Sequence, residues 1–360
     1  MSSILYYNAT QIYNKGLDLP GIDNLLALQK IVAPHNGILD RTGTIILPFK
    51  TQVHTPLPDF SMPFTKTYEE CAMGRMAELD QLHRSTGKTF RLLYSGGIDS
   101  TGIFAAFIGY YGVEKASRIL EICCSREAIQ ENPWTWQRYI SKYNFKLSSS
   151  HNHNNIWNDA DIINLMGEGN DQLVGTTITL RTLDRNGNDV YRKMSSDDFS
   201  DFLKDRYGIA DSTTALVNQI IRKSPVPVDN IVQLMWWLIM AVNWDSVMLR
   251  SLVYNPLGHL RQVDLSNGLP QFYNTPDFHR WSYMYFGDFD KKIMTNYKYP
   301  TKDMILKILN IPEYASKEKY SSFSRVQSMI KSGIIIDDDL SMKYDISDFK
   351  DYIDPNSNLI

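Results

Sequence analysis

The chain has 360 residues, 43% hydrophobic and 21% charged, with 37 Lys and Arg against 40 Asp and Glu for a formal charge of -3. That balance excludes wholesale disorder, allows two or three domains, and disfavours nucleic acid as a partner, because a basic face would have to come from local clustering. Three cysteines, Cys71, Cys123 and the adjacent Cys124, form no disulfide framework and no CxxC pair, which argues against a cysteine zinc site and points to a reducing, cytoplasmic compartment.

Residues 1–8 show neither a basic segment nor a sustained apolar run, so no targeting segment is expected. Residues 1–66 are punctuated by Pro20-Gly21, Asn36-Gly37 and Thr42-Gly43 around strand-like runs such as 44–47, and residues 48–63 read as an extended connector. From Thr67 the pattern turns helical, with Met73, Met76, Ala77 and Leu79 near one face and Gly87 as the stop. Strand 90–94, helix 100–111, strand 119–124, helix 133–143 with proline in its first turn, a strand starting at 145–147 and the apolar run 162–166 come next. This alternation predicts an α/β fold, a parallel sheet with helices on both faces, with ligands at the C-terminal ends of the strands.

After Gly175, residues 177–182 and 190–192 flank Asn186-Gly187, a hairpin signal. Helices are expected over 198–206, 214–222, 229–252 and 302–309. The apolar stretch 234–242 falls well short of the roughly 20 residues of a bilayer span, so it reads as a buried helix and no membrane is expected. The acidic run 336–339 reads as solvated surface. The expected organisation is a small N-terminal α+β segment (1–66), an α/β domain with a helical C-terminal extension (67–330) and an acidic tail (331–360).

The strongest chemical signal is Ser95-Gly96-Gly97-Ile98-Asp99-Ser100, between a strand and an apolar helix. Two glycines let the backbone turn sharply and approach a bulky anion, their N–H groups form a concavity, and the helix after them aims its positive end at the same place. Ser95 and Ser100 can add hydroxyl donors. Asp99 suits an anion site only with a cation between them, and Mg2+ bridging Asp99 and phosphate oxygens meets that need. The loop lacks the Gly-Lys-Ser/Thr ending of the Walker type. It resembles the loop of the ATP pyrophosphatase (PP-loop) superfamily, with its adenine nucleotide alpha hydrolase-like fold. Those enzymes cut ATP between the α and β phosphates.

A second loop, Gly167-Glu168-Gly169-Asn170-Asp171-Gln172-Leu173-Val174-Gly175, resembles the Gly-Glu-Gly-x-Asp-Glu-Leu-Phe-Gly loop of the synthetase domain of asparagine synthetases. The resemblance implies that Asp171 shares the metal with Asp99 and that Glu168 acts on the incoming nucleophile. Gln172 stands where the family has Glu, one negative charge fewer beside the metal. Two fainter likenesses come in the same order as in the family. Residues 269–278 resemble a Pro-Phe-Leu-Asp segment lining the family's cleft, with Gln271 and Asn274 replacing its Pro and Asp. Residues 302–307 and 316–320 resemble a Lys-x-x-Leu-Arg helix and an Arg-Pro-Lys-Glu-Ala-Phe segment, which implies that Lys317 faces the phosphates. In this fold the end of the second strand lies beside adenine, so backbone groups around Cys123 are expected to read the base.

The family's glutaminase domain is not matched. Ser2 stands where its cysteine comes after the initiator Met, and residues 1–66 are too few to form it, so they read as a remnant or a replacement. The resemblance therefore implies an ATP- and Mg2+-dependent carbon–nitrogen ligase. It adenylates a small-molecule or peptide carboxylate and joins it to an amine, or to ammonia supplied by a separate glutaminase. Two alternatives stay open: adenylation of a nucleobase or peptide carbonyl, and a nucleotide-binding protein weakened in chemistry. His151 and His153 share one side of a strand-like segment but have no third ligand nearby, and Trp134, Trp136, Trp236 and Trp237 read as core.

Overall fold

The first strand, β1 (Ile4–Tyr7), is buried at all four positions, so both its faces are covered. The computed structural model describes residues 3–16, 19, 21–32, 37–149, 159, 161–174, 190–253, 271–287, 296, 298–314, 335–337 and 342–343. The Asn8 side chain accepts the Gln11 N–H and caps α1 (Ala9–Asn14), and α2 (Ile22–Val32) comes next. The run 44–47 is not a strand, and Ile46 is 82% exposed. Among the described residues no strand pairs with it.

Helix α3 (Tyr68–Thr86) starts where the sequence places it. Thr67 and Glu70 exchange the two bonds of a capping box, and Gly87 closes the helix. Next come β2 (Thr89–Tyr94), α4 (Ile98–Tyr111), α5 (Val113–Ile119), β3 (Leu120–Cys124), α6 (Arg126–Glu131) and α7 (Pro133–Thr135), which widens into a π turn, Trp136–Ile140. Strands β4 (Lys146–Ser149) and β5 (Ile162–Leu165) and helix α8 (Asn170–Val174) complete this part. The four strands are all parallel, in the order β4-β3-β2-β5. Phe90 of β2 lies between Leu120 of β3 and Ile163 of β5. Consecutive residues of β3 and β5 are buried, so both faces of the sheet are covered there, as in α/β proteins, whereas the edge strand β4 is largely exposed.

The chain steps from β2 to β3 to β4 on one side, then returns to place β5 on the other side of β2. The C-terminal end of β2 is therefore a topological switch point, where α/β sheets open a crevice. One sheet face carries a charge cluster around the buried Arg91 and Glu121. Arg91 Nε donates to Glu121 Oε1 at 2.5 Å, its Nη2 reaches Asp159 at 3.3 Å, and Lys146 Nζ lies 2.7 Å from Glu121 Oε2.

The rest is mostly helical: α9 (Ser196–Tyr207), α10 (Asp211–Ile221), α11 (Ile231–Leu238), a π turn (Ile239–Asn243), α12 (Trp244–Val253), α13 (Pro276–Gly287) and α14 (Tyr299–Leu309). The continuous run Ile231–Leu249 is long and apolar enough to cross a membrane by length and composition, yet all of it is buried inside the protein. It is the central core helix. Val190, Tyr191 and Arg192 form a turn and a bend rather than a hairpin arm; the opposite arm and Asn186-Gly187 lie outside the described residues.

Residues 1–66 do not form a core of their own. One hydrophobic core runs from Ile4 and Leu28 through Leu92 to Trp237 and Leu309. A π turn loosens the helical ladder, and three successive carbonyls of Ile239–Asn243 take bonds from the N-terminal segment. Leu39 N–H donates to Val242 O at 2.8 Å, Arg41 N–H to Ala241 O at 2.8 Å, and Arg41 Nη1 to Met240 O at 2.9 Å. The buried Asp245 accepts the N–H groups of His54 and Thr55, which anchors the proline-rich connector. The acidic run near the C-terminus takes part in a sheet. Its first residues lie in β6 (Ile335–Asp337), which pairs antiparallel with β1 on one side and with β7 (Met342–Lys343) on the other.

Candidate functional site

The loop 95–100 leaves β2 at the switch point. Gly96 has φ +73°, and a Cβ there would lie 2.2 Å from Ala128 O and 2.8 Å from Glu131 Cβ. Only glycine lets the loop lie on the backbone of α6. Among the described residues a Cβ at Gly97 would approach only Ser95 Oγ, at 3.2 Å, so they leave that side of the loop open. Ser100 Oγ accepts the Ser95 N–H at 3.2 Å and donates to Gly97 O at 3.2 Å, while Ser95 Oγ accepts the Gly97 N–H at 3.3 Å. Both hydroxyls thus hold the loop in shape. Gly97 caps α4 without a side-chain bond, which leaves the positive end of a 14-residue helix facing the loop.

Strand β5 delivers the second loop against the first. A Cβ on Gly167 would meet Asp99 Cβ at 2.8 Å and Ser100 N at 3.1 Å. Glu168 is next in the turn, half-buried. Gly169, at φ +94°, lies against Met248 and Trp244, and α8 opens with Asn170 and Asp171. Adjacent strands therefore set the loop holding Ser95, Gly96, Gly97, Asp99 and Ser100 beside the loop holding Glu168 and Asp171.

A residue from far along the chain joins them. Lys298 Nζ lies 2.6 Å from both carboxylate oxygens of Asp99 and 2.7 Å from Asp171 Oδ1. Lys298 is only 4% exposed. It caps α14 in the left-handed region, at φ 58°, an uncommon backbone for a lysine. Behind the carboxylates is a closed ring of hydrogen bonds. Asn170 Nδ2 donates to Asp99 Oδ1 at 2.7 Å and to Thr301 Oγ1 at 3.0 Å. Thr301 Oγ1 donates to Tyr68 OH at 2.8 Å, and Tyr68 OH donates to Asn170 Oδ1 at 2.7 Å. Tyr273 OH donates to the backbone carbonyl of Asp99 at 2.9 Å.

Burial pushes the Asp99 carboxyl up from its ordinary range, against the pull of Lys298, and the Asp171 carboxylate adds to the rise. Burial also raises Tyr68 and Tyr273, so both phenols stay protonated and act as donors. Among the described residues no three His, Cys, Asp or Glu side chains cluster to hold a metal. Two carboxylates converging on one point nevertheless suit Mg2+, which takes one or two carboxylates and fills its octahedron with water and substrate phosphates.

Cys123 is buried within β3, between Leu93 of β2 and Ser148 of β4. Burial raises its thiol and pushes Cys124, at the strand end, up to about 11, so neither is a thiolate nucleophile. Gln172 is buried. Gln271 is also buried, and its Nε2 donates to Met248 O. Asn274 accepts from Trp244 Nε1 and donates to Thr55 Oγ1, both at 2.9 Å. The segment 271–274 is thus a packing hub, and Tyr273 is its link to the loop. Lys317, His151 and His153 lie outside the described residues.

Sequence reasoning missed Lys298, Asn170, Thr301, Tyr68 and Tyr273. The one local cue was Pro300, which marks the start of α14 and so places Lys298 at a helix entry. No protein-family model matches the chain, and no curated protein matches it.

Proposed function

We propose that the chain is an ATP-dependent carbon–nitrogen ligase of asparagine synthetase type, which adenylates a carboxylate, releases pyrophosphate and forms an amide with ammonia or an amine. One observation carries the reading. A Ser-Gly-Gly-x-Asp-Ser loop and a Gly-Glu-Gly-x-Asp loop lie against each other at the switch point of a parallel sheet, with Asp99 and Asp171 aimed at one point. In this reading the open side of Gly97 and the N-terminus of α4 receive phosphate groups. Asp99 and Asp171 would hold Mg2+, which supplies charge neutralisation at the phosphates.

The remaining roles belong to the chain's own side chains. Asn170 and Tyr273 fix the Asp99 carboxylate and backbone, so that its orientation does not depend on ligand. Glu168, in the turn between the two glycines, positions the amine that attacks the acyl-adenylate and takes its proton. Specificity for the acid and the amine is set by cleft side chains, independently of the fold.

ATP–pyrophosphate exchange with a panel of carboxylates tests the proposal. Asp99→Ala should lower exchange at least about 100-fold, beyond the usual cost of losing an outer-shell partner. An unchanged rate refutes the role of Asp99, and no exchange with any acid refutes adenylation of a carboxylate. The lysine bridging the two aspartates favours a second reading, nucleotide binding without turnover. Tight ATP binding with neither AMP nor pyrophosphate formed would select it.

A further inference from the structure

Lys298 has no role in the ligase reaction proposed above, yet it occupies the point on which both loops converge. Its ammonium lies 2.6–2.7 Å from three carboxylate oxygens of two aspartates. Those are the contacts a divalent ion would make, and one point cannot hold both cations. Two carboxylates carry two negative charges; the lysine balances one of them, a divalent ion both. The lysine is built into its position. It caps a helix that Pro300 starts, its neighbour Tyr299 closes a turn onto Asn296 O at 3.0 Å, and Lys302 Nζ bonds Asn296 Oδ1 at 3.2 Å. The left-handed backbone at Lys298 is uncommon for a residue with a Cβ, and the charge-assisted bonds to Asp99 and Asp171 hold it there.

We propose that Lys298 and a divalent metal are alternative occupants of the Asp99–Asp171 point, so that the lysine is a tethered counter-ion which metal must displace. This rests on the reading of Asp99 and Asp171 as metal ligands. Lys298 is then a positioning residue. It keeps two carboxylates together that would otherwise repel across the two loops, and it sets a threshold for metal entry. A metal arriving with phosphate oxygens brings further ligands of its own, so it competes with the ammonium better than metal alone.

The test reads Mn2+ binding to the full chain by electron paramagnetic resonance, with no nucleotide present. Lys298→Gln removes the charge. Lys298→Gly also relieves the left-handed backbone, and so guards against a variant that fails to fold. Each is expected to hold Mn2+ at least about tenfold tighter than the wild type, a difference of about 1.4 kcal/mol. Adding Asp171→Asn to either variant is expected to remove the gain. Equal Mn2+ affinity in wild type and variants overturns the proposal, as does a gain that survives Asp171→Asn. A lysine with a purely structural role would lower stability without tightening Mn2+. Equilibrium dialysis of ATP with the wild type is read separately: no ATP binding overturns the ligase reading, whereas the Mn2+ comparison decides the role of Lys298.

Discussion

Gly167→Ala probes the contact between the two loops. The added carbon would lie 2.8 Å from Asp99 Cβ, 3.1 Å from Ser100 N and 3.2 Å from the Asp99 carbonyl carbon. Ordinary carbon–carbon contact needs about 3.5 Å, so the loops must part by roughly 0.7 Å. Neither neighbour is the free end of a flexible side chain. Asp99 is held by Asn170, Lys298 and Tyr273, and Ser100 by three bonds within its own loop. Overpacking of this kind costs about 1–3 kcal/mol. Because the strain falls on the groups that aim Asp99 and Asp171, we expect Mg·ATP affinity to fall by a similar amount, roughly 5- to 150-fold. Gly87→Ala is the control. It has φ +71° and nothing within 4 Å of a new Cβ, so it should cost about 1–2 kcal/mol of backbone strain alone. Urea denaturation and equilibrium dialysis of ATP measure both proteins. Wild-type stability and affinity in Gly167→Ala, or an equal loss of ATP binding in Gly87→Ala, would refute a strained contact between the loops.

Three further outcomes are expected from other parts of the fold. Arg41→Met should destabilise the protein by about 2–4 kcal/mol, because the guanidinium donates to Thr55 O, Met240 O and Pro56 O; limited proteolysis should then cut within 44–63, and wild-type protease resistance would refute it. Burial alone would raise Glu121, but bonds from Arg91, Lys146 and Ser148 outweigh it and bring it down to about 2. Its folded value lies below the unfolded one, so its contribution of at most about 3 kcal/mol is complete above pH ~4.5 and disappears as pH falls towards 2. Acid titration of stability should therefore lose this component in Arg91→Met, and an identical acid transition would refute the assignment. Thr67→Ala removes half of the capping box on α3 and should cost about 1 kcal/mol in urea denaturation, whereas Thr86→Ala, at the other end of that helix, should cost less.

Local patterns made the sheet and its loops legible. Strands β2, β3 and β5 are short, mostly buried runs bounded by glycine, serine or helix signals, and Thr67, Glu70 and Gly87 bracket α3 within their own sequence neighbourhood. The two glycine loops were legible for the same reason, since each is a contiguous pattern. Lys298 was not, because its meaning lies in carboxylates 199 positions away in the chain for Asp99 and no periodicity encodes that distance. The Ile239–Asn243 π turn was hidden inside a continuous apolar run that reads equally well as α-helix. Residues 44–47 show the opposite failure: strand-like composition without strand pairing leaves an irregular segment in which Ile45 and Leu47 pack against the core and Ile46 is exposed. The acidic run at 336–339 read as solvent-exposed from its charge, while its place beside β1 was fixed by pairing across nearly the whole chain.

That pairing has a consequence for synthesis. Ile4 is opposite Asp337, so at ~5–20 residues per second β1 leaves the ribosome on the order of tens of seconds before its partner exists. Its other edge is served much sooner. Ile4 N–H donates to Lys50 O at 2.9 Å and Gln52 N–H to Ile4 O at 3.0 Å, so one side of the strand can be occupied once the first 52 residues are made. The nascent chain thus carries a half-paired apolar strand through most of translation, and a ribosome that stops before residue 335 releases a protein with that edge uncovered.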